Sequence, residues 1–340
     1  MIIDILQTIV NLSGKQKDKI HCTQLDKYTY DNIYIYHLDI SNNKYFNQDT
    51  IKQKKYRKLK KLICIENNRV NNISHLDYTL EELDCSGVNC AMDQNSIRNL
   101  RKIKILKCSS NKKIYNVNCL ADTLEELDCS GYNGYNSNIG QKNITKLKIK
   151  KLNCSANGKI NNLDHLSETL EELCISDIGC GVDQIGIAKL SKLVILNCTE
   201  NEKIFNVNHL SKTLKELYCS STYINQNGIS KLKFLRTLEC KYCSGINNVN
   251  HFAESLEKLV CRCSGISQDG ISQLEKLRVL KCDYRTNIKD VNHLANTLEK
   301  LHCSENDNID QNGISQLKKL KVLKCDYTTN IKDVNHLANT

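Results

Sequence analysis

Three sets of side chains in this 340-residue sequence have types and spacings that chemistry could use. Cys240-x-x-Cys243, seventeen intervening residues and then Cys261-x-Cys263 approximate a four-thiolate zinc pattern. Six of the nine histidines, His75, His165, His209, His251, His293 and His336, recur in one slot about 43 residues apart. Glu81-Glu82 and Glu125-Glu126 resemble paired carboxylates for acid–base work. All three dissolve into something more regular. Cys240 and Cys261 occupy a slot that holds cysteine along most of the chain, which leaves Cys263 outside any repeat. Histidines two strand spacings apart lie about 10 Å from one another, too far to share a metal, and are expected to back-bond a turn. The glutamates recur as solvating groups at strand edges. Neither a phosphate-cradling G-x-x-x-x-G-K-[ST] nor an H-E-x-x-H occurs. The expectation is a protein that is not an enzyme, with no catalytic residues, metal or cofactor.

The regularity is the order L-x-x-L-x-C. "LEELDCSG" stands at 80–87 and again at 124–131. The sixth position falls at Cys64, Cys85, Cys108, Cys129, Cys154, Ile175, Cys198, Cys219, Cys240, Cys261, Cys282, Cys303 and Cys325, at spacings of 21 to 25 residues. An earlier copy lies in Ile35, Leu38 and Ile40, which makes about fourteen units. Two unit types alternate. One continues as I-x-x-V-N-H-L-x-x-T, as in 204–213, the other as Q-N-G-I-S-x-L, as in 226–232. The true period is therefore a doublet of about 42–46 residues, and residues 278–297 match 321–340 at 18 of 20 positions.

This pattern resembles the leucine-rich repeat, L-x-x-L-x-L-x-x-N/C, with cysteine in place of the third leucine, over residues 35–340. The doublet style is most similar to leucine-rich-repeat proteins of amoeba-infecting giant viruses. The resemblance implies an α/β solenoid, with a curved parallel sheet on the concave side and short helices and turns on the convex side. It also implies an asparagine ladder. Asn67, Asn111, Asn157, Asn201, Cys243 and Asn306 keep that slot, whereas Arg285 and Thr328 lose it, so the ladder should be incomplete.

Physically, each L-x-x-L-x-C segment forms a short strand whose fourth and sixth side chains point inward, and stacked units align them into ladders. Cysteine is a small hydrophobe that buries readily. Using it in place of leucine forfeits roughly 1–2 kcal/mol per slot at about 0.8 kcal/mol per methylene. Closer approach of the back of each unit can offset that. The cysteines are packing groups.

The net charge of +10 permits an acidic partner without requiring one. Nineteen cysteines without an evident export signal, and no run long enough to span a membrane, point to an intracellular, cytoplasmic protein (the host cytoplasm, if viral). Richness in Asn, Lys and Ile, with no proline, reads as AT-biased coding. Lys52–Lys61, KQKKYRKLKK, holds seven basic residues in ten. It is either a nucleic-acid or nuclear-import patch or the back segment of an ordinary repeat.

Arrays of this kind bind partners on the outward strand positions. Aromatic and basic residues gather there in the C-terminal half. Tyr218, Arg236, Glu239, Lys258, Arg278, Lys281, His302 and Lys324 are the candidate contacts for an unidentified protein partner. Residues 1–34 precede the repeats, with Ile3, Ile5, Leu6, Ile9 and Val10 at helical spacing. This segment is either a cap on the first repeat or, by the I-L-x-x-I-x-x-L around 5–12, similar to a degenerate F-box that would dock on a ubiquitin-ligase adaptor. The expected function is a protein-binding module. Substrate reception for an SCF-like ligase and nucleic-acid binding by a basic solenoid are the alternatives.

Overall fold

The computed structural model describes Gln7 and residues 32–132, 134–284, 286–327, 330–334 and 337. The chain divides into two compact units, 1–161 and 162–340. In the first, six strands run parallel in chain order: β1 (His37–Asp39), β2 (Lys61–Ile63), β3 (Glu82–Asp84), β4 (Ile105–Lys107), β5 (Glu126–Asp128) and β6 (Lys151–Asn153). In the second, eight do so: β7 (Glu172–Cys174), β8 (Ile195–Asn197), β9 (Glu216–Tyr218), β10 (Thr237–Glu239), β11 (Lys258–Val260), β12 (Val279–Lys281), β13 (Lys300–His302) and β14 (Val322–Lys324). Both are leucine-rich-repeat solenoids, one strand per repeat.

Each strand is the x-L-x at the heart of the motif. Its leucine points into the core, as Leu196, Leu217 and Leu238 do at 0% exposure, and its two neighbours face out. The following cysteine is again buried, and its amide extends the ladder, as from Cys219 N to Glu239 O at 2.8 Å. Behind the strand the two unit types diverge. The Q-N-G-I type folds a single α-turn in four repeats, such as Gln226–Ile229, capped by Asn225 accepting from the Gly228 amide, and a 3₁₀ turn in others, such as Asn312–Ile314. The V-N-H-L type folds a single 3₁₀ turn, such as Asn208–Leu210. Turns of either kind bury one aliphatic face, here Ile229 and Leu210, against the strand leucines. Full burial of each such side chain contributes about 1.5–3 kcal/mol before chain entropy opposes it.

Two residues beyond the ladder slot the backbone turns through the left-handed region at nearly every repeat, as at Glu66, Ser110, Ala156, Glu200, Ser221, Tyr242 and Glu305, with φ between 51° and 61°. The next residue holds that turn. Buried Asn201 donates to Ile175 O at 2.9 Å and Val182 O at 3.0 Å and accepts from Lys203 N. Asn111 and Asn157 do the same in the first unit. Beside the lost slot at 285 the Thr286 hydroxyl donates to Cys282 O of its own repeat at 2.8 Å, and Asn306 Nδ2 donates to Thr286 Oγ1 at 2.8 Å. The bond that Thr286 donates stays within the repeat, whereas the ladder asparagines reach the repeat before.

Asparagine and glutamine also clasp adjacent repeats on the back. Gln226 donates to Asn248 O and accepts from the amides of Asn247 and Asn248, and Gln48, Gln94, Gln184 and Gln268 repeat the arrangement. Asn208 reaches Asn227 O and Lys231 N. The asparagine content therefore has a structural use beyond base composition.

Candidate functional site

The third residues of successive strands in the second unit form one row on the open face: Asn197, Tyr218, Glu239, Val260, Lys281, His302 and Lys324. Five of the eight candidates lie in it. A parallel row two residues upstream holds Glu216, Thr237, Lys258, Val279, Lys300 and Val322. Strands at about 4.8 Å make these two rows a grid.

The N-terminal half of the grid is internally satisfied. The Tyr218 phenol donates to Glu216 Oε2 at 2.7 Å, and burial together with that carboxylate pushes its pKa up to about 12. Glu239 pairs with Lys241 at 2.7 Å. The two arginines are elsewhere. Arg236 and Arg278 stand just before their strands, in a column where Arg236 meets Glu257 at 3.9 Å and Glu299 receives both Arg278 and Lys321. They are members of a charge ladder and are not free contacts. The first unit carries the same column, with Glu81 between Lys60 and Lys104.

The C-terminal half differs. Lys258, Lys281, Lys300 and Lys324 have no ion pair or side-chain hydrogen bond among the described residues, and His302 sits between Lys281 and Lys324 in the register. Burial lowers the His302 pKa and the Lys281, Lys324 and Lys300 charges lower it further, against Asp283, which raises it. Asp283 accepts from the Ser304 amide. The result is a cationic patch with a neutral imidazole at its centre. On the first unit's open face Lys61 and Lys107 are instead set against Glu82 and Glu126. Lys300 was not among the candidates expected from sequence, although it lies in the same row as Lys258, which was. The residue before the central leucine shares the same face.

The other chemistry-bearing sets stay apart. Cys243 Sγ turns back to donate to Cys219 O at 3.0 Å, whereas Cys263 Sγ turns forward to Tyr284 O at 3.7 Å. No group of three or more His, Cys, Asp or Glu that could hold a metal occurs among the described residues. Burial raises the pKa of the ladder thiols Cys108, Cys240, Cys261 and Cys282, which keeps them protonated and inert. His75, His209 and His293 bond the carbonyls of Ile51, Ile187 and Ile271 through Nε2 at 3.0–3.1 Å, so Nε2 carries the proton. His336 lies outside the described residues. Four of the seven cations in the basic run 52–61 are engaged locally, while Lys52, Lys54 and Arg57 are exposed. Lys55 is buried, Lys58 lies over the Tyr34 ring, and Lys60 and Lys61 pair with Glu81 and Glu82. The reading of residues 1–34 as cap or F-box lies outside the described residues, apart from Gln7 and 32–34.

No protein-family model matches this sequence, and no curated protein does. Solved leucine-rich-repeat structures do match. The internalin InlF of Listeria monocytogenes is 17% identical with a TM-score of 0.50, over 99% of this chain and 92% of that one. The functional domain of InlJ from the same organism, described as including a cysteine ladder, is 23% identical with a TM-score of 0.54 over 78% of this chain and 58% of that one. TLR13 in complex with the RNA ssRNA13 is 19% identical with a TM-score of 0.53 over 90% of this chain and 51% of that one. At these identities the likeness is one of fold. The fold class is thereby set: a leucine-rich-repeat solenoid. No helix among the described residues is long and apolar enough to cross a membrane.

Proposed function

We propose that this chain is a non-catalytic recognition module that binds an acidic protein surface on the open face of β11–β14. One observation carries the reading. Lys258, Lys281, Lys300 and Lys324 are uncompensated on a face where Lys241, Arg278 and Lys321 all have carboxylate partners. Unpaired like charges two strands apart within each row, and diagonal between rows, repel one another, and an anionic partner relieves that repulsion while steering association. Half-buried Tyr218 supplies apolar area further along the same row. A reducing compartment suits thiols used for packing.

TLR13, solved with an RNA, gives specific support to polyanion recognition as the second reading. In residues 1–34, the Gln7 amide bonds both backbone groups of Tyr34, at 2.8 and 2.9 Å, which supports a cap continuous with the 35–340 array over an F-box docked elsewhere. The experiment is competition for the immobilised full chain between a polyglutamate peptide and a single-stranded RNA, with Lys281→Glu/Lys324→Glu alongside. The reading expects peptide binding that falls at least about tenfold in the double variant and weakens as salt rises. Preferential RNA binding with a steep salt slope would transfer the site to nucleic acid. Recovery of a ligase adaptor only when residues 1–34 are present would favour the receptor alternative.

A further inference from the structure

On the edge of the second unit where β9 and β10 end, a cavity of about 410 Å³ opens between the turns of adjacent repeats. Its walls are Tyr223 and Tyr242, 65% and 54% exposed, with Glu202, Ser221, Ser244 and Gly245 around them. Repeat geometry brings these together. Glu202, Tyr223 and Ser244 each stand four residues past a ladder cysteine (Cys198, Cys219 and Cys240), so they form one column. Tyr242 stands two past its own, at the left-handed turn position with φ 60°, which swings its ring beside that column. Gly245 packs so closely on Asn225 that a Cβ there would lie 2.8 Å from the Asn225 Cβ, so the floor stays low between the two rings.

Three polar groups of this cavity have no partner among the described residues, although Thr222 and Asn225 in its lining are hydrogen-bonded. The Glu202 carboxylate makes no hydrogen bond or ion pair among the described residues, and neither do the phenols of Tyr223 and Tyr242. The cations close by in sequence are all engaged. Lys203 Nζ donates to Cys180 O at 2.7 Å, Lys241 is held by Glu239 at 2.7 Å, and Arg262 lies over the Tyr284 ring at 5.1 Å. Two aromatic faces and a free carboxylate around one opening are the groups that attract a cation, through the ring quadrupoles and through charge.

We infer that this cavity is a subsite for a cationic side chain, an arginine or lysine of a protein partner, held between Tyr223 and Tyr242 with its N–H groups on Glu202. The subsite is separate from the lysine grid, and its test does not depend on that reading. The unpaired carboxylate selects an N–H-bearing cation over a quaternary ammonium, which can use only the rings.

The test titrates full-length protein, carrying ¹³C-labelled tyrosine, with three probes: Nα-acetyl-arginine methylamide, tetramethylammonium and acetate. Tyr223→Phe and Tyr242→Phe assign the two resonances. The expected result is saturable shifts confined to Tyr223 and Tyr242, with the arginine probe at least about fivefold tighter than tetramethylammonium. Glu202→Gln should remove that preference. Because Tyr242 occupies a strained turn, Tyr223→Ala and Glu202→Gln serve as the loss-of-binding variants, with far-UV circular dichroism confirming the fold. Shifts spread over all exposed tyrosines, equal response to acetate, tighter tetramethylammonium, or indifference to Glu202→Gln would each overturn the assignment.

Discussion

Replacing Asn201 with alanine removes one exposed-looking polar residue from a chain full of them, yet it should be among the most damaging single changes available. Asn201 is 1% exposed, and its amide serves Ile175 O at 2.9 Å, Val182 O at 3.0 Å and Lys203 N at 3.2 Å. Alanine leaves three backbone groups without that partner, in a turn where water has little access. At about 1–2 kcal/mol for each unsatisfied group the loss is about 3–6 kcal/mol. The left-handed Glu200 just before it also loses its anchor. Since repeats contact chiefly their neighbours, the loss should be local, loosening the repeats around β7 and β8 before those around β12. Urea unfolding followed by circular dichroism measures the total, and amide hydrogen exchange locates it. The exposed Lys212→Ala supplies the reference, expected within about 0.5 kcal/mol of the parent. Equal midpoints for the two variants, or exchange that rises uniformly along the chain, would refute the argument that the buried amide fork holds the turn.

Other outcomes follow from the same geometry. Cys282→Asp places a carboxylate where nothing pairs with it and should cost several kcal/mol or force its protonation, while Lys281→Asp, one residue away and outward, should fold within about 0.5 kcal/mol of the parent; the reverse pattern in limited proteolysis would invert the strand facing. Thiol labelling of the native protein should reach exposed Cys119 at once and the buried ladder cysteines only on unfolding, with half-buried Cys325 between them, which a timed mass-spectrometric count resolves. Burial holds the pKa of His75, His209, His251 and His293 below the unfolded value of about 6.5. The unfolded chain then binds more protons in that window, so stability is full above about pH 6.5 and falls as pH drops through it. Thermal melts between about pH 7.5 and 5.5 should show this, with a shallower slope in His209→Gln; a melting temperature that rises on acidification would contradict it.

The periodicity made the fold legible because burial writes itself into sequence at fixed intervals. Leu217 and Cys219 recur 21 residues later as Leu238 and Cys240, and Ile224 recurs 22 later as Ile246, all of them buried, with Leu217 and Leu238 in register. The back-bonding role of the histidine slot was readable for the same reason, since a polar residue locked to an apolar frame must serve the frame. The site was less legible. Tyr218 and His302 occupy equivalent positions in one row, yet one is tied to Glu216 two residues before it, while the other stands between Lys281 and Lys324, 21 and 22 positions away. The cross-strand pairing of Arg236 with Glu257 and of Arg278 with Glu299 is likewise invisible along the chain. The glutamine clasps were hidden in plain view within the Q-N-G-I motif, because glutamine on a solvated turn ordinarily signals nothing.

Those clasps bear on how such a chain changes length. Gln226 reaches forward to Asn247 and Asn248, Asn208 reaches forward to Asn227 and Lys231, and His209 reaches back to Ile187, so each spans one repeat boundary. A copied doublet therefore arrives with its own donors and finds matching acceptors on either side, and the junction it creates is chemically the same as the one it interrupts. Gain or loss of 42 or so residues leaves no dangling amide, whereas gain of a single repeat would set a glutamine turn against another glutamine turn. The near-identity of 278–297 and 321–340 is the trace expected of growth by pairs. Copy number can drift in twos without a new interface having to be invented, and the open face lengthens by two strands each time.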